Sequence, residues 1–403
     1  MLQASLQLYR NAYQGLPPRI WWLSFVMLVN RSGTMVLPFL TVYLTDHKGY
    51  TRTEAGYAMA AFGAGALLGS YFGGRLTDRI GFFSVQFLSL FLGGIMFFVL
   101  GRMDSLPMFI LCLFVLSVLA ESFRPANSAA IAAYSNESNR TRSYSLNRLA
   151  INLGFAIGPA IGGMVSEFSY DWLFWLDGTT CIVAALVLFV ALPRQGTSPR
   201  AQQKQGLKDG SSAFRDRHFL IGMFYLFLVA VCFFQLFSMV PLYYKQELHM
   251  RQMEIGLLMS LNGLLIFLVE MVLVYKLENR KSAFYYITIG TLLIGASFLM
   301  LNIAPVLWAA LAAMLVVTLG EMLLFPFINN FWVARSNEWN RGQYASVYTM
   351  AFAAAHVLSP TFSASISDNA GFSYLWIVDF IICGLATLGF IHLKKKISAH
   401  ERV

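Results

Sequence analysis

The chain has 403 residues, of which 57% are hydrophobic and 12% are charged, and its mean hydropathy is +0.61. Soluble globular domains contain about 25% charged residues, so a chain of this composition could not cover itself with a solvated surface. The composition argues against an intrinsically disordered protein, a nucleic-acid-binding module and a soluble enzyme.

Twelve apolar stretches account for this composition. A transmembrane helix needs about 20 mostly apolar residues. The stretches, numbered here as spans 1 to 12, lie near residues 20–44, 54–74, 82–101, 106–133, 146–166, 172–192, 218–244, 254–275, 283–301, 306–334, 342–367 and 372–393. The sequence therefore predicts an all-α membrane protein with twelve transmembrane helices.

A polar segment at 193–217 separates the first six spans from the last six. It predicts an N-terminal six-helix bundle at 1–192, a cytoplasmic linker at 193–217 and a C-terminal six-helix bundle at 218–403. Most of the 29 Lys and Arg residues lie on the same side as this linker and both termini. Because loops rich in Lys and Arg stay in the cytoplasm, we expect both termini to be cytoplasmic. The net charge of +9 then needs no nucleic-acid partner.

The two halves of the chain repeat each other at an offset of about 200 residues. Thr53–Gly63 is similar to Met253–Gly263, and Ser135–Arg140 is similar to Ser336–Arg341. Equivalent single residues are Glu121 with Glu321, Pro159 with Pro360, and Asp177 with Asp379. Two copies with six spans each share one topology and are related by an axis along the membrane normal, with a substrate path between them. This is the architecture of a secondary transporter.

Gly74–Gly81, with the sequence G-R-L-T-D-R-I-G, resembles the G-x-x-x-D-R-x-G signature of the loop between spans 2 and 3 in the major facilitator superfamily. The resemblance implies two six-helix bundles around a central cavity, lined mainly by spans 1, 4, 7 and 10, in a monomer. It also implies a latch formed by Asp78 and Arg79, with a degenerate second copy after span 8. The gating residues expected from this loop are Gly74, Asp78, Arg79, Gly81 and Glu278.

Two further motifs resemble different branches of that superfamily. In span 5, Gly158-Pro159-x-x-Gly162-Gly163 resembles a motif of the drug:proton antiporter branch. Helix packing alone would also explain its glycines, while Pro159 breaks a backbone hydrogen bond and kinks the helix. The resemblance adds Gly158 and Pro159 to the expected gating residues.

In span 4, Phe123–Ser128 (F-R-P-A-N-S) resembles the F-K-P-N-x-S motif of the proton-coupled oligopeptide transporter branch. Asn30–Leu44 resembles the end of that branch's E-x-x-E-R segment, but Met27 and Asn30 stand at the positions of its two glutamates. The alternative implied is a proton-coupled symporter that imports small peptides or related metabolites.

Ionisable side chains at membrane depth are energetically costly, so each is a candidate for transport. The proton-coupling candidates are Glu321, Glu121, Glu270 and His356. The expected substrate-cavity residues are Arg31, Arg124, Asn30, Gln235, Asn329 and Asn330. Structural alternatives remain open: a pair of Arg124 with Glu121 or Glu321 can serve merely to hold helices together, and His356 can be a packing residue. Asp177 and Asp379 are expected to cap a helix or form an outer gate.

No nucleophile motif, P-loop or metal-ligand spacing occurs, and the four cysteines lie in apolar runs. We therefore expect no enzyme, no cofactor, no metal and no ATP-driven pump. The expected function is proton-coupled secondary transport by alternating access in a bacterial inner membrane. The antiporter resemblance favours efflux of amphiphilic compounds, with proton and substrate competing for one carboxylate. The expected partners are the small-molecule substrate, protons and the lipid bilayer.

Overall fold

The computed structural model of the chain describes residues 15–136, 139–193, 212–277, 280–303, 306–336 and 341–400. Within these ranges every regular element is a helix, which confirms the predicted fold class. Most of the expected linker lies outside the described residues.

The first six spans begin and end close to the predicted positions, except that span 2 extends to Ile80 and span 5 begins already at Arg140. Span 1 consists of helix Pro18–Ser32, helix Val36–Val42 and a π-helical turn at Tyr43–His47. Spans 2 to 6 are the helices Arg52–Ile80, Phe82–Leu100, Leu106–Tyr134, Arg140–Ser166 and Asp171–Ala191.

The last six spans follow the same order. Span 7 consists of Arg217–Phe233, a 3₁₀ turn at Phe234–Phe237 and Met239–Gln246. Span 8 consists of Gln252–Leu265, a π-helical turn at Ile266–Glu270 and Met271–Leu277. Spans 9 to 12 are Ala283–Met300, Leu307–Arg335, Arg341–Ala370 and Phe372–His400. Spans 1 and 7 are interrupted at equivalent places, as an internal repeat requires.

Ten helices in the described ranges are long and apolar enough to cross a membrane. Spans 2 and 11 do not meet that criterion, although their helices have 29 and 30 residues. Glycine and serine lower the mean hydropathy of these two helices, and small residues such as glycine, alanine and serine allow neighbouring helices to approach closely. The protein is therefore a multi-pass membrane protein whose spans differ in composition.

The expected loop between spans 2 and 3 is almost entirely helical. Span 2 continues through Ile80, so most of the Gly74–Gly81 signature forms its last turns. Only Gly81 lies between the two helices, with a φ of +84° that favours glycine. The prediction of a loop over these residues was wrong, because Arg52–Ile80 extends beyond the apolar stretch from which the span was predicted.

The contacts divide the chain into two compact units. Unit 1 comprises Met1–Val36 with Gly65–Gly206, and unit 2 comprises Leu37–Ala64 with Leu207–Val403. The end of span 1 and the beginning of span 2, both within Leu37–Ala64, thus pack with the second half of the sequence. The domain boundaries expected from the polar linker stay a prediction.

Span 2 packs closely against span 4 within unit 1. A Cβ atom added at Gly65, Gly69 or Gly73 would collide with Phe114, Val118 or Ser122 respectively. The glycine spacing of four residues places all three on one helical face. Their common role is therefore the close approach of two helix backbones.

Candidate transport site

Span 4 carries an ion pair within one helical turn. Arg124 Nε lies 2.7 Å from Glu121 Oε2, and the arginine side chain is 61% exposed while that of the glutamate is 11% exposed. Residues three apart face the same side of a helix. The pair therefore presents an accessible cation whose counter-charge is nearly buried, and one of the two predicted pairings of Arg124 is confirmed.

Arg31 lies near this pair, at the end of the first helix of span 1. Its Nε is buried and has no hydrogen-bond partner in the described residues. Arg124 and Glu121 both act electrostatically on its guanidinium, which also lies 5.9 Å from the ring centroid of Phe155. Burying an incompletely paired charge is costly. Arg31 is therefore suited to receive an additional acceptor.

Span 5 holds the backbone around Arg31. A Cβ atom at Gly154 would collide with the Arg31 side chain, and one at Gly158 would lie 2.9 Å from the Thr34 carbonyl oxygen. Pro159 follows within the same helix. Gly158 thus lets span 5 cross the interruption of span 1, which supports the packing interpretation of the motif and leaves its gating role a prediction.

Asp177 of span 6 caps the second helix of span 1. Its Oδ1 accepts from the Met35 N–H at 3.0 Å, and its Oδ2 accepts from the Val36 N–H at 3.0 Å. The first amides of a helix have no partner inside that helix, and a carboxylate stabilises this positive end. The expected capping role of Asp177 is confirmed.

Asn30, also in span 1, is directed toward span 6. Its Nδ2 lies 3.4 Å from Cys181 Sγ, a weak acceptor. It contributes to helix contacts within unit 1, and its expected place in the substrate cavity stays a prediction.

In unit 2, Glu321 of span 10 is half-buried beside an asparagine of span 8. Asn262 Nδ2 donates to Glu321 Oε2 at 3.1 Å and to Thr318 Oγ1 at 3.0 Å. Two turns further along span 10, Asn329 and Asn330 are exposed. Sequence reasoning missed Asn262, although its place in an otherwise apolar span was a usable signal.

Gln235 is fully buried and bonded to span 12. Its Nε2 donates to Asp379 Oδ1 at 2.7 Å, whereas Gln235 Oε1 and Asp379 Oδ2 have no hydrogen-bond partner among the residues that the structure describes. Gln235 lies on the 3₁₀ turn that interrupts span 7. It therefore joins spans 7 and 12 in this conformation, and its role in a cavity stays a prediction.

The two remaining proton-coupling candidates of unit 2 occupy different surroundings. Glu270 is buried at the end of the π-helical turn of span 8, an irregularity that is frequent at functional sites. His356 of span 11 stacks on Phe234 with ring centroids 4.5 Å apart, and Phe62 lies 5.7 Å away. The aromatic contacts of His356 support its packing role.

The gating residues of the span 2–3 signature are only partly described. Gly74 lies beside Pro125 of span 4, and Arg79 is exposed at the end of span 2. The side chain of Asp78 and the whole of Glu278 lie outside the described part of the chain. The latch stays a prediction.

A polar network at the predicted outer end of unit 2 was not foreseen from the sequence. Arg52 donates to Gln246 Oε1 through Nη2 at 2.7 Å and to the Ser367 carbonyl through Nη1 at 3.0 Å. The Thr53 N–H donates to Asp368 Oδ2 at 2.8 Å. Span 2 is thereby tied to spans 7 and 11. The similarity of Thr53–Gly63 to the second half indicated that this segment is part of the repeat. It did not identify the hydrogen-bond partners of Arg52 and Thr53, which lie more than 190 residues away in the sequence.

A second unforeseen network lies at the predicted inner end of unit 2. Arg335 Nε lies 2.8 Å from Asp216 Oδ2, and the Tyr344 hydroxyl donates to the same oxygen at 3.0 Å. The Phe219 N–H donates to Asp216 Oδ1 at 3.0 Å, which caps span 7. Partial burial alone would raise the pKa of Asp216, but the donors from Arg335, Phe219 and Tyr344 together hold that pKa below its usual value.

Comparison with known proteins agrees with this architecture. The chain is 24% identical to a Na(+), Li(+), K(+)/H(+) antiporter of Planococcus maritimus, over 91% of this chain and 92% of that protein. It is 22% identical to the quinolone resistance protein NorA of Staphylococcus aureus, over 78% and 81% of the two chains. A crystal structure of a POT family transporter in complex with 5-aminolevulinic acid matches the fold with a TM-score of 0.83 and 17% identity, over 96% and 98% of the two chains.

The family profile of the Major Facilitator Superfamily matches residues 20–360, which is most of the chain. The interrupted spans 1 and 7 and the repeat between the halves fit the two-bundle design that the profile implies. The chain belongs to the Major Facilitator Superfamily and is a multi-pass membrane transporter of that family.

Proposed function

We propose that this transporter is a proton-coupled antiporter that exports small amphiphilic compounds from the cytoplasm of a bacterium. The observation that carries the proposal is the Arg124–Glu121 pair, an accessible cation 2.7 Å from a nearly buried carboxylate. The two relatives named above, an ion/proton antiporter and a quinolone resistance protein, agree with antiport and drug efflux.

Exchange of partners at this pair would couple the two fluxes. As a carboxylate, Glu121 pairs with Arg124 or, in its place, with a cationic group of the substrate. When Glu121 binds a proton at a carboxylate oxygen, it loses its charge and the cationic group leaves. Burial favours the neutral form of an unpaired carboxyl group, so Glu121 binds either the proton or the substrate and not both. Arg31, whose Nε has no hydrogen-bond partner among the described residues, offers a donor to an acceptor group of the substrate.

Glu321 is the corresponding carboxylate of the second repeat, and Asn262 holds its Oε2 in a fixed orientation. An amide donor stabilises the carboxylate form and opposes protonation of the oxygen to which it donates. Glu321 is therefore our preferred coupling residue in unit 2, with Glu270 and His356 as further candidates.

The test uses purified protein in liposomes that contain a pH-sensitive dye. Lipophilic cations are added, and the direction of proton movement is recorded for the wild type, Glu121→Gln and Glu321→Gln. Antiport predicts protons moving opposite to the compound, with coupling lost and substrate binding retained in at least one variant. Glu247→Gln, which removes an exposed glutamate at the end of span 7, is the matched control. Wild-type coupling in both test variants would remove these residues from the mechanism.

The alternative is a proton-coupled symporter for small peptides, which the Phe123–Ser128 motif favours. In that motif Asn127 accepts from Gln86 Nε2 and donates to Asn147 Oδ1, both at 3.2 Å. The motif's asparagine thus joins spans 3, 4 and 5. Di- and tripeptides added to the same liposomes distinguish the two functions, because a symporter moves protons in the same direction as the peptide.

A further inference from the structure

A groove of about 500 Å³ runs between spans 7 and 12 in unit 2. Its span 12 side is formed by Gly389, His392, Leu393 and Lys396. Their spacing of three, four and seven residues places them on one stripe of the helix. Along this stripe, Gly389 and Leu393 are uncharged, and His392 and Lys396 are basic. The basic side chains lie near the end of span 12 that is predicted to face the cytoplasm.

The opposite side of the groove is apolar and aromatic. Leu220, Ile221, Phe224 and Tyr225 of span 7 line it, and Ile221 and Phe224 are exposed on the surface of the unit. A Cβ atom at Gly389 would collide with the ring of Tyr225. The absence of a side chain at Gly389 therefore lets the tyrosine ring lie against the backbone of span 12 and form the floor of the groove.

The position of the groove identifies the kind of molecule that fills it. It opens on exposed side chains of two membrane-spanning helices, so hydrocarbon surrounds it in the membrane. From Gly389 to Lys396 the helix rises about 10 Å, enough for the glycerol region and the first methylenes of a phospholipid. Leu220, Ile221 and Phe224 offer these methylenes an apolar wall.

The charges at the inner end select the headgroup. His392 and Lys396 are both exposed at the mouth of the groove, while Asp216, next to span 7, is already bonded to Arg335 and Tyr344. Basic pockets between helices on the cytoplasmic side bind anionic headgroups. We propose that this groove is a specific site for one anionic phospholipid of the cytoplasmic leaflet. The phosphate would contact His392 and Lys396, and an acyl chain would lie against span 7.

The test counts bound lipids by native mass spectrometry of the purified full-length protein with phosphatidylglycerol or phosphatidylcholine added. The wild type should retain phosphatidylglycerol in preference to phosphatidylcholine. One basic residue near a membrane surface contributes about 1 kcal/mol, so Lys396→Gln should weaken phosphatidylglycerol binding about fivefold, and adding His392→Gln should weaken it further. The matched control is the double variant Lys394→Gln/Lys395→Gln, which removes exposed charges of the same helix that do not line the groove.

A second variant tests the apolar part of the groove without changing its charge. Ile221→Trp places a large side chain where the acyl chain is expected, and it should lower phosphatidylglycerol retention with His392 and Lys396 intact. The proposal would be overturned if the control and groove variants lost phosphatidylglycerol binding equally, or if Ile221→Trp retained it normally. Either result would mean that the lipid is attracted only by the basic end of the helix. Inorganic phosphate that binds the groove as tightly as phosphatidylglycerol would likewise overturn the proposal, because the acyl chain would then contribute nothing.

Discussion

Asp177 and Met35 join span 6 to the interruption of span 1, with the carboxylate Oδ1 accepting the backbone N–H of Met35 at 3.0 Å. The same carboxylate accepts the Val36 N–H through Oδ2, so both of its oxygens are occupied. In the repeat, Asp379 accepts from the Gln235 side chain through Oδ1 only. Two equivalent aspartates thus stabilise two interrupted spans, one by binding backbone amides and the other by binding an amide side chain.

This difference predicts unequal effects of the same substitution. Asp177→Asn replaces one acceptor by an NH₂ group that faces backbone donors, and an unsatisfied buried donor costs about 1–3 kcal/mol. Asp379→Asn keeps the acceptor for Gln235 and replaces Oδ2, which has no hydrogen-bond partner among the described residues, so it loses no hydrogen bond and should cost much less. Thermal unfolding of both variants in detergent measures the difference. Equal losses of stability would contradict the distinction drawn between the two carboxylates.

The sequence predicts most of this fold because its signals are local. Apolar stretches locate the spans, the offset of about 200 residues identifies the repeat, and the equivalence of Asp177 with Asp379 already indicated a cap. The interruption of span 1 at residues 33–35 is less visible, because it depends on Asp177 supplying acceptors from another helix.

The direction of the Gln235 side chain could not be predicted from the neighbouring residues in the sequence. A polar residue in an apolar span can face a cavity or a neighbouring helix, and one residue rotates the helix surface by about 100°. The 3₁₀ turn at Phe234–Phe237 sets that rotation in span 7 and directs Gln235 to Asp379. The pairs Arg52–Gln246 and Asp216–Arg335 were unpredictable for a related reason, since nothing in either segment specifies a partner over 100 residues away.

The Asp216–Arg335 pair predicts a loss of stability in acid. The pKa of Asp216 is lowered in the folded protein. Its contribution is therefore fully present above the unfolded value of about 3.9 and is lost as the pH falls from there through the folded pKa. Asp216→Asn should cost about 1–3 kcal/mol at neutral pH, because a charged hydrogen-bond acceptor is removed from Arg335.

Unfolding temperatures of the wild type and Asp216→Asn, compared over a range of pH, measure this contribution. The difference should stay constant above about pH 5 and shrink below about pH 4. Asp171→Asn, at the exposed beginning of span 6, is the control. A difference that does not change with pH would show that the carboxylate charge of Asp216 does not stabilise the fold.

The close contact of spans 2 and 4 predicts that Gly69 tolerates no side chain. A Cβ atom there would meet the backbone of Val118, which cannot rotate away as a side chain can. Gly69→Ala should therefore force the helices apart and lower the unfolding temperature, since overpacking costs about 1–3 kcal/mol. Gly93→Ala in span 3 is the control, because no atom of the described residues lies within 4 Å of its added Cβ. Equal stability of the two variants would contradict the packing role.

The contacts of Arg52 predict how firmly spans 2, 7 and 11 are held together at the predicted outer end of unit 2. Its guanidinium donates to Gln246 and to the Ser367 carbonyl and lies 4.2 Å from the ring centroid of Phe372. Hydrogen bonds to a charged group each contribute about 1.5–3 kcal/mol. Arg52→Ala should thus shift a closed–open equilibrium of these ends by about tenfold or more toward the open state.

Spin labels at the exposed positions Thr51 and Asn369 report on this opening, since Thr51 directly precedes span 2 and Asn369 lies in span 11, next to the two residues of the Thr53–Asp368 contact. The distance distribution should broaden toward longer distances in Arg52→Ala. It should stay unchanged in Arg251→Ala, which removes an arginine whose ion pair, within the described part of the chain, is with Glu254 at the start of the same helix. An unchanged distribution in Arg52→Ala would mean that Thr53–Asp368 and the surrounding packing suffice to keep span 2 against span 11. Alternating access would then have to break those contacts, and Asp368→Asn would be the variant that weakens them.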